Sequence, residues 1–195
     1  MILVTGATGY LGRRVVRRLC ERHEQVRCLV RATSDTSELE HLEVEIHVGD
    51  LEDRPSACPA FRDADAVIHL AHIRYAPVVL ESASPGVSRI VLLSSLRALS
   101  RVPSSSVTDV RTGEAAARAS RLPWILLRPS MIYGPGDDRN ISRLADFLRR
   151  HRIFPVLCDG RTLQQPVFVE DVVQAVLAAA AGQGHPRNHE VVPPP

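Results

Sequence analysis

TGATGYLG, residues 5–12, stands directly behind the apolar run Ile2-Leu3-Val4 and directly before RRVVRRL, residues 13–19. The apolar run reads as a buried strand. After it, Leu11, Val15, Val16 and Leu19 recur at helical spacing, while Arg13, Arg14, Arg17 and Arg18 take the opposite face. Three uncharged glycine positions, Gly6, Gly9 and Gly12, therefore fall at a strand-to-helix junction. Such a junction suits a bound phosphate, because the helix N-terminus offers free N–H groups and a partial positive charge. Gly6 permits a tight turn, Gly9 lets the backbone approach a pyrophosphate, and Gly12 lets the helix pack closely. The spacing is G-x-x-G-x-x-G rather than G-x-G-x-x-G, so its weight comes from its place in the chain order.

Outward from this loop, strands and helices alternate. Gln25–Val30 predicts a second strand, Ser34–Leu42 a short helix capped by Ser34 or Asp35, and Val44–Val48 a third strand. Asp63–Ala71 carries a fourth strand and Ser88–Ser95 a fifth, with a short crossover helix within Arg74–Ser84. A helix near Val107–Arg121 precedes a sixth strand in Pro123–Pro129, and further helices fall at Arg139–Arg150 and Val169–Ala181. HEVV, residues 189–192, reads as one more strand or as tail. Near-continuous apolar strands alternating with helices predict a doubly wound parallel α/β sheet, the Rossmann topology, with right-handed crossovers. The 195 residues are expected to form one domain, with a C-terminal substrate region that is short or absent.

Composition narrows the partners. Net charge is +2, which argues against a nucleic-acid or membrane-surface partner. No apolar run approaches the ~18 residues of a membrane span, and the start has no secretory pattern. Cys20, Cys28, Cys58 and Cys158 have neither C-x-x-C spacing nor a metal-type histidine pair, so no metal is expected and the thiols suit a reducing cytoplasm. All 24 basic residues are arginine, and there is no lysine.

Arg31 stands just past the end of the second predicted strand, followed by Thr33 and Ser34. An NAD site would place Asp or Glu near this point for the ribose 2′-hydroxyl. Arginine instead fits a 2′-phosphate, so NADP is the expected cofactor, with NAD left open.

TGATGYLG, LVRATSD, GDL (Gly49–Leu51), AVIHLA, LLSS, LRPSMIYGPGD and QQPVFVEDVVQAV occur in the order found in short-chain dehydrogenases/reductases. The chain resembles the extended and atypical branch, including NAD(P)-dependent epimerase/dehydratase-like and NmrA-like members. The resemblance implies that Gly6, Thr8, Gly9, Tyr10, Leu11 and Gly12 line the pyrophosphate and that Arg31 meets the adenosine 2′-phosphate. It implies that Asp50 and Leu51 flank the adenine and that Ala71 and His72 lie near the nicotinamide ribose. Ser95 matches the hydroxyl that assists catalysis, while Pro129, Ser130, Met131 and Tyr133 border the nicotinamide and a small-molecule substrate. Structural roles stand beside these. Ser94 and Ser95 fit strand-end backbone groups, Asp50 a turn cap, and Glu170 and Asp171 a helix N-terminus.

Active relatives usually carry Tyr-x-x-x-Lys on the helix after the fifth strand. There the ammonium lowers the tyrosine pKa for proton exchange. Matched through Glu114, those positions are Ser106 and Val110, and Arg111 lies about 100° further round the helix. Two readings follow: an NADP-preferring oxidoreductase or epimerase-like enzyme with Ser95 and Tyr133 as catalytic groups, or a non-catalytic NADP(H)-binding sensor or assembly protein. Either reading leaves an oligomer open.

Overall fold

Six parallel strands carry the main sheet of the computed structural model, which describes residues 1–136, 141–151 and 165–182. They are β1 (Ile2–Thr5), β2 (Val26–Val30), β3 (Val44–Val48), β4 (Ala66–His69), β5 (Arg89–Leu93) and β6 (Trp124–Leu127). Their order is β3-β2-β1-β4-β5-β6, that of the doubly wound dinucleotide-binding sheet. The order reverses between β1 and β4, which opens a crevice beyond the carboxyl ends of those two strands.

Strand side chains alternate between two cores. Val4, Cys28, Val30, Ile68, Val91 and Ile125 face α1 (Gly12–Glu21) and α6 (Val169–Ala180), which add Val15, Val16, Leu19, Val172, Val173 and Val176. Leu3, Leu29, Val67, Ile90, Leu92 and Leu126 face the other way. There they meet α2 (Arg54–Ala57), a 3-10 turn at Cys58–Phe61, α3 (Ala76–Ser82) and α4 (Ser105–Ala119). Both faces are covered, which is why the central strands read as unbroken apolar runs. β3 lies at an edge and leaves Ile46 and Val48 exposed. A parallel two-residue pair, β7 (Ile132–Tyr133) with β8 (Val167–Phe168), forms a second small sheet. The helix α5 (Ile141–Arg150) lies between them in sequence.

The doubly wound expectation agrees with this architecture. The helix expected at Ser34–Leu42 is absent, and the segment is a series of turns. Its polar residues bond locally: the Asp35 carboxylate accepts from Ser37 N at 3.0 Å, and Thr36 O accepts from Leu39 N at 2.8 Å. Short Asp and Ser side chains compete with helical bonding in this way. Of its two leucines only Leu39 is fully buried, at 1% exposure, so a helix would have gained little packing. The β3–β4 connection holds α2 and the Cys58–Phe61 turn, which the periodicity did not reveal; Phe61 fills the core there. The α4 helix starts earlier than expected, because the Ser104 hydroxyl accepts from Val107 N at 3.2 Å and caps it. Residues 139–140 of the expected Arg139–Arg150 helix and the HEVV segment lie outside the described residues.

Candidate functional site

The glycine loop closes the crevice between β1 and β4. Gly6 has φ of 74°, in the left-handed region, and a Cβ there would lie 2.6 Å from Ala71 N, so the loop abuts the end of β4. A Cβ on Gly12 would lie 2.0 Å from Gly6 O. The first turn of α1 thus packs on the loop's own backbone rather than on the strand. Gly9 differs, since an added Cβ would meet only Gly6 O, at 3.2 Å.

A cleft of about 580 Å3 opens over this loop. Eight of the expected cofactor residues line it: Gly6, Thr8, Gly9, Arg31, Asp50, Leu51, Ala71 and His72. Tyr10, Leu11, Gly12, Pro129 and Met131 are not part of that lining. Leu11 is buried in the core, and Tyr10 lies against Arg14 with its hydroxyl donating to Pro135 O at 3.2 Å. The Asp50 carboxylate accepts from Glu52 N at 2.9 Å, which fixes the turn after β3. His72 Nδ1 accepts from Arg74 N at 3.2 Å, capping a short 3-10 turn. Arg31 is exposed at the cleft, and no carboxylate among the described residues forms an ion pair with it.

One residue of this region escaped the sequence reading. His69 ends β4, fully buried, with Nδ1 2.6 Å from Thr5 Oγ1 and Nε2 3.2 Å from His72 O. The His72 carbonyl can only accept, so Nε2 carries the proton and the Thr5 hydroxyl donates to Nδ1. Burial pushes the imidazole down to about 4, which keeps it neutral. The ring thereby ties the start of the glycine loop to the opposite wall of the cleft. A histidine inside AVIHLA, otherwise apolar, was the available signal.

Beyond β5 the two serines have distinct tasks. The Ser94 hydroxyl donates to Glu114 Oε1 at 2.6 Å. Glu114, 2% exposed, also accepts from Arg128 at 2.7 and 2.8 Å and from Arg118 at 2.8 Å. Burial alone would raise its pKa, but these donors and charges lower it instead. The network fastens α4 to the ends of β5 and β6. The Ser95 hydroxyl accepts from Arg97 N at 3.2 Å and caps the 3-10 turn at Leu96–Leu99. Its own O–H can still donate. On α4, Val110 is buried in the core, while Arg111 donates to Ala98 O at 3.0 Å and Ser100 O at 2.7 Å. That guanidinium braces the turn after Ser95. Tyr133 packs against Phe168, ring centroids 5.6 Å apart, in a separate depression beside α5. Among the described residues no group of three or more His, Cys, Asp or Glu side chains could hold a metal ion. No helix among them is long and apolar enough to cross a membrane.

A backbone cradle open at Gly9, set at the switch point of a 3-2-1-4-5-6 sheet, makes this a pyridine-nucleotide-binding Rossmann protein. The chain belongs to the family described as NAD(P)H-binding, matched over residues 6–146. Residues 112–194 also match the 3-beta hydroxysteroid dehydrogenase/isomerase family. The chain is 31% identical over 192 residues to ceramide reductase of Caulobacter vibrioides, covering 91% of this chain and 60% of that protein. It is 26% identical over 204 residues to mitochondrial NADH dehydrogenase [ubiquinone] 1 alpha subcomplex subunit 9 of Arabidopsis thaliana, covering 93% of this chain and 50% of that one. The crystal structure of Bordetella bronchiseptica WbmG in complex with NAD and UDP shares the fold. Its TM-score is 0.83 at 19% identity, over 98% of this chain and 72% of that one. The chain spans about half to three-fifths of the length of these curated relatives.

Proposed function

We propose that this chain acts as an NADP-preferring oxidoreductase or epimerase-like enzyme on a small molecule in the cytoplasm. The observation that carries the reading is Arg31, a guanidinium at the cleft with no described ion-pair partner, where an NAD site would offer a carboxylate. The glycine loop would hold the pyrophosphate, with Gly9 lying closest to it. Asp50 and Leu51 would border the adenine, Ala71 and His72 the nicotinamide ribose, and Pro129 and Met131 the nicotinamide. When bound, the nicotinamide supplies hydride exchange. Ser95 would orient the substrate through its free O–H, and Tyr133 would exchange the proton. Ceramide reductase, by its name a reductase, supports the enzymatic reading.

A second reading has its own support. With Ser106 and Val110 at the two family positions, and Arg111 held by two carbonyls, α4 offers no tyrosine with an adjacent cation. A relative named as a subunit of a larger complex agrees with a bound, non-reacting cofactor and an assembly role. The two readings part on turnover. Thermal unfolding titrated with NADPH, NADP, NADH and NAD tests what they share. A ligand at 100 times its Kd stabilises by about 2.7 kcal/mol, and the phosphorylated pair should shift the transition most. No shift with any of the four would end both readings. Consumption of NADPH with a panel of carbonyl compounds then separates enzyme from sensor.

A further inference from the structure

The glycine loop is fastened to a segment more than 120 residues away. Pro135 O accepts from both Tyr10 Oη, at 3.2 Å, and Arg14 Nη2, at 2.6 Å. The same guanidinium donates through Nη1 to the Tyr10 carbonyl at 2.7 Å and lies over the Tyr10 ring, 4.1 Å from its centroid. Arg14 thus holds the loop's backbone, the loop's aromatic ring and the 134–136 turn at once. The turn presses on this assembly, since a Cβ on Gly134 would lie 2.9 Å from Tyr10 Oη and 2.6 Å from a Val169 methyl. On its other side the turn continues from Tyr133, which pairs with Phe168 in the β7–β8 ladder. Arg14 Nε also lies 3.8 Å from Glu170 in the first turn of α6. Tyr10 does not line the cleft, so its ring does not directly serve a ligand there.

We propose that Tyr10 and Arg14 are positioning residues that couple occupancy of the glycine loop to the order of residues 131–136, and so to the placement of Tyr133. This rests on the reading of the loop as a dinucleotide site. The physical ground is direct. A ligand that immobilises the Gly9–Tyr10 backbone reduces the freedom of whatever that backbone is bonded to. The strut here is a charge-assisted fork plus a stacked ring, stiffer than a single contact. Because such coupling is reciprocal, an ordered 131–136 segment would also favour dinucleotide binding. The cofactor would then assemble the Tyr133 side before a substrate arrives.

Hydrogen exchange of the full chain, with and without saturating NADPH, tests this. In the parent, exchange should slow by about threefold or more in 5–12 and also in 131–136. In Arg14→Met, 5–12 should still slow while the slowing of 131–136 largely disappears. Tyr10→Phe keeps the stacked ring and loses one bond to Pro135 O, so it should retain part of the effect. If Arg14→Met does not fold, Arg14→Lys keeps the charge beside Glu170 without the two-pronged fork and should show the same loss. A merely stabilising strut would lower protection of 131–136 equally with and without NADPH, and that result overturns the proposal. So does slowing of 131–136 in Arg14→Met equal to the parent's, or slowing of 5–12 alone in the parent. If NADPH slows neither segment, the dinucleotide reading itself fails and takes the coupling with it.

Discussion

Thr5 and His69 share a buried hydrogen bond of 2.6 Å between the last residue of β1, where the glycine loop begins, and the last residue of β4. These two strands flank the point where strand order reverses, so the bond spans the base of the cofactor cleft. Its direction is fixed by His72 O, which claims the proton on Nε2.

An acid limb in stability follows from this ring. Burial lowers the His69 pKa to about 4, whereas an unfolded histidine titrates near 6.5. Between those values the unfolded chain binds the extra proton and the folded chain does not, so stability rises with pH across that window. The contribution, on the order of 3 kcal/mol, is complete above about pH 6.5 and lost as pH falls towards 4. Urea unfolding from pH 4 to 7.5 measures it, and His69→Asn should flatten this part of the profile.

Thr5→Val keeps the shape of the side chain but leaves His69 Nδ1 without its donor. It should cost about 1–3 kcal/mol, with weaker NADPH binding because the loop loses its tie to β4. Denaturant unfolding and a binding titration read the two effects separately.

The Glu114 carboxylate is surrounded by Arg128, Arg118 and Ser94. Glu114→Gln should cost roughly 3–5 kcal/mol, since it leaves the buried Arg128 charge uncompensated. The lowered pKa of Glu114 means its stabilisation is present above the usual carboxylate range and fades as pH falls through the folded value. The variant's deficit should therefore shrink towards low pH.

Alanine at three glycines should separate folding from binding. Gly12→Ala places a methyl 2.0 Å from Gly6 O, and Gly6→Ala combines a left-handed φ with a 2.6 Å contact to Ala71 N. Both should lower Tm. Gly9→Ala meets only Gly6 O at 3.2 Å, so Tm should fall little while dinucleotide affinity falls steeply, because the methyl occupies the cradle. Thermal unfolding with and without NADPH distinguishes the three.

If the chain turns over, Tyr133→Phe should lower kcat by about 10²-fold or more, with NADPH affinity nearly unchanged. Retained turnover would remove Tyr133 from the chemistry.

Much of the fold was legible because the central strands alternate between two cores and their apolar runs are bounded by turns. The six strands of the main sheet, the sheet class and the glycine junction all follow from that pattern, whereas the two-residue β7–β8 pair is too short to show in it. The Ser34–Leu42 segment misled because its spacing resembles a helix, while Asp35 and Thr36 bond within the turns and only Leu39 is fully buried. In the site, eight cleft residues were readable from motif positions. The work of His69, Glu114 and Arg14 was not, since each acts through a partner distant in sequence: Thr5, Arg128 and Pro135. The split between Ser94 and Ser95, one braced by Glu114 and one capping a turn, likewise depends on α4 packing across the strand ends.

We propose that Arg31 gives this cleft its preference for the 2′-phosphate. Isothermal titration of NADPH and NADH into the parent and into Arg31→Ala tests it most directly. The parent should bind NADPH more tightly than NADH, and Arg31→Ala should lose roughly 1.5–3 kcal/mol towards NADPH while NADH binding barely changes. Equal losses for the two dinucleotides, or a parent that prefers NADH, would contradict it.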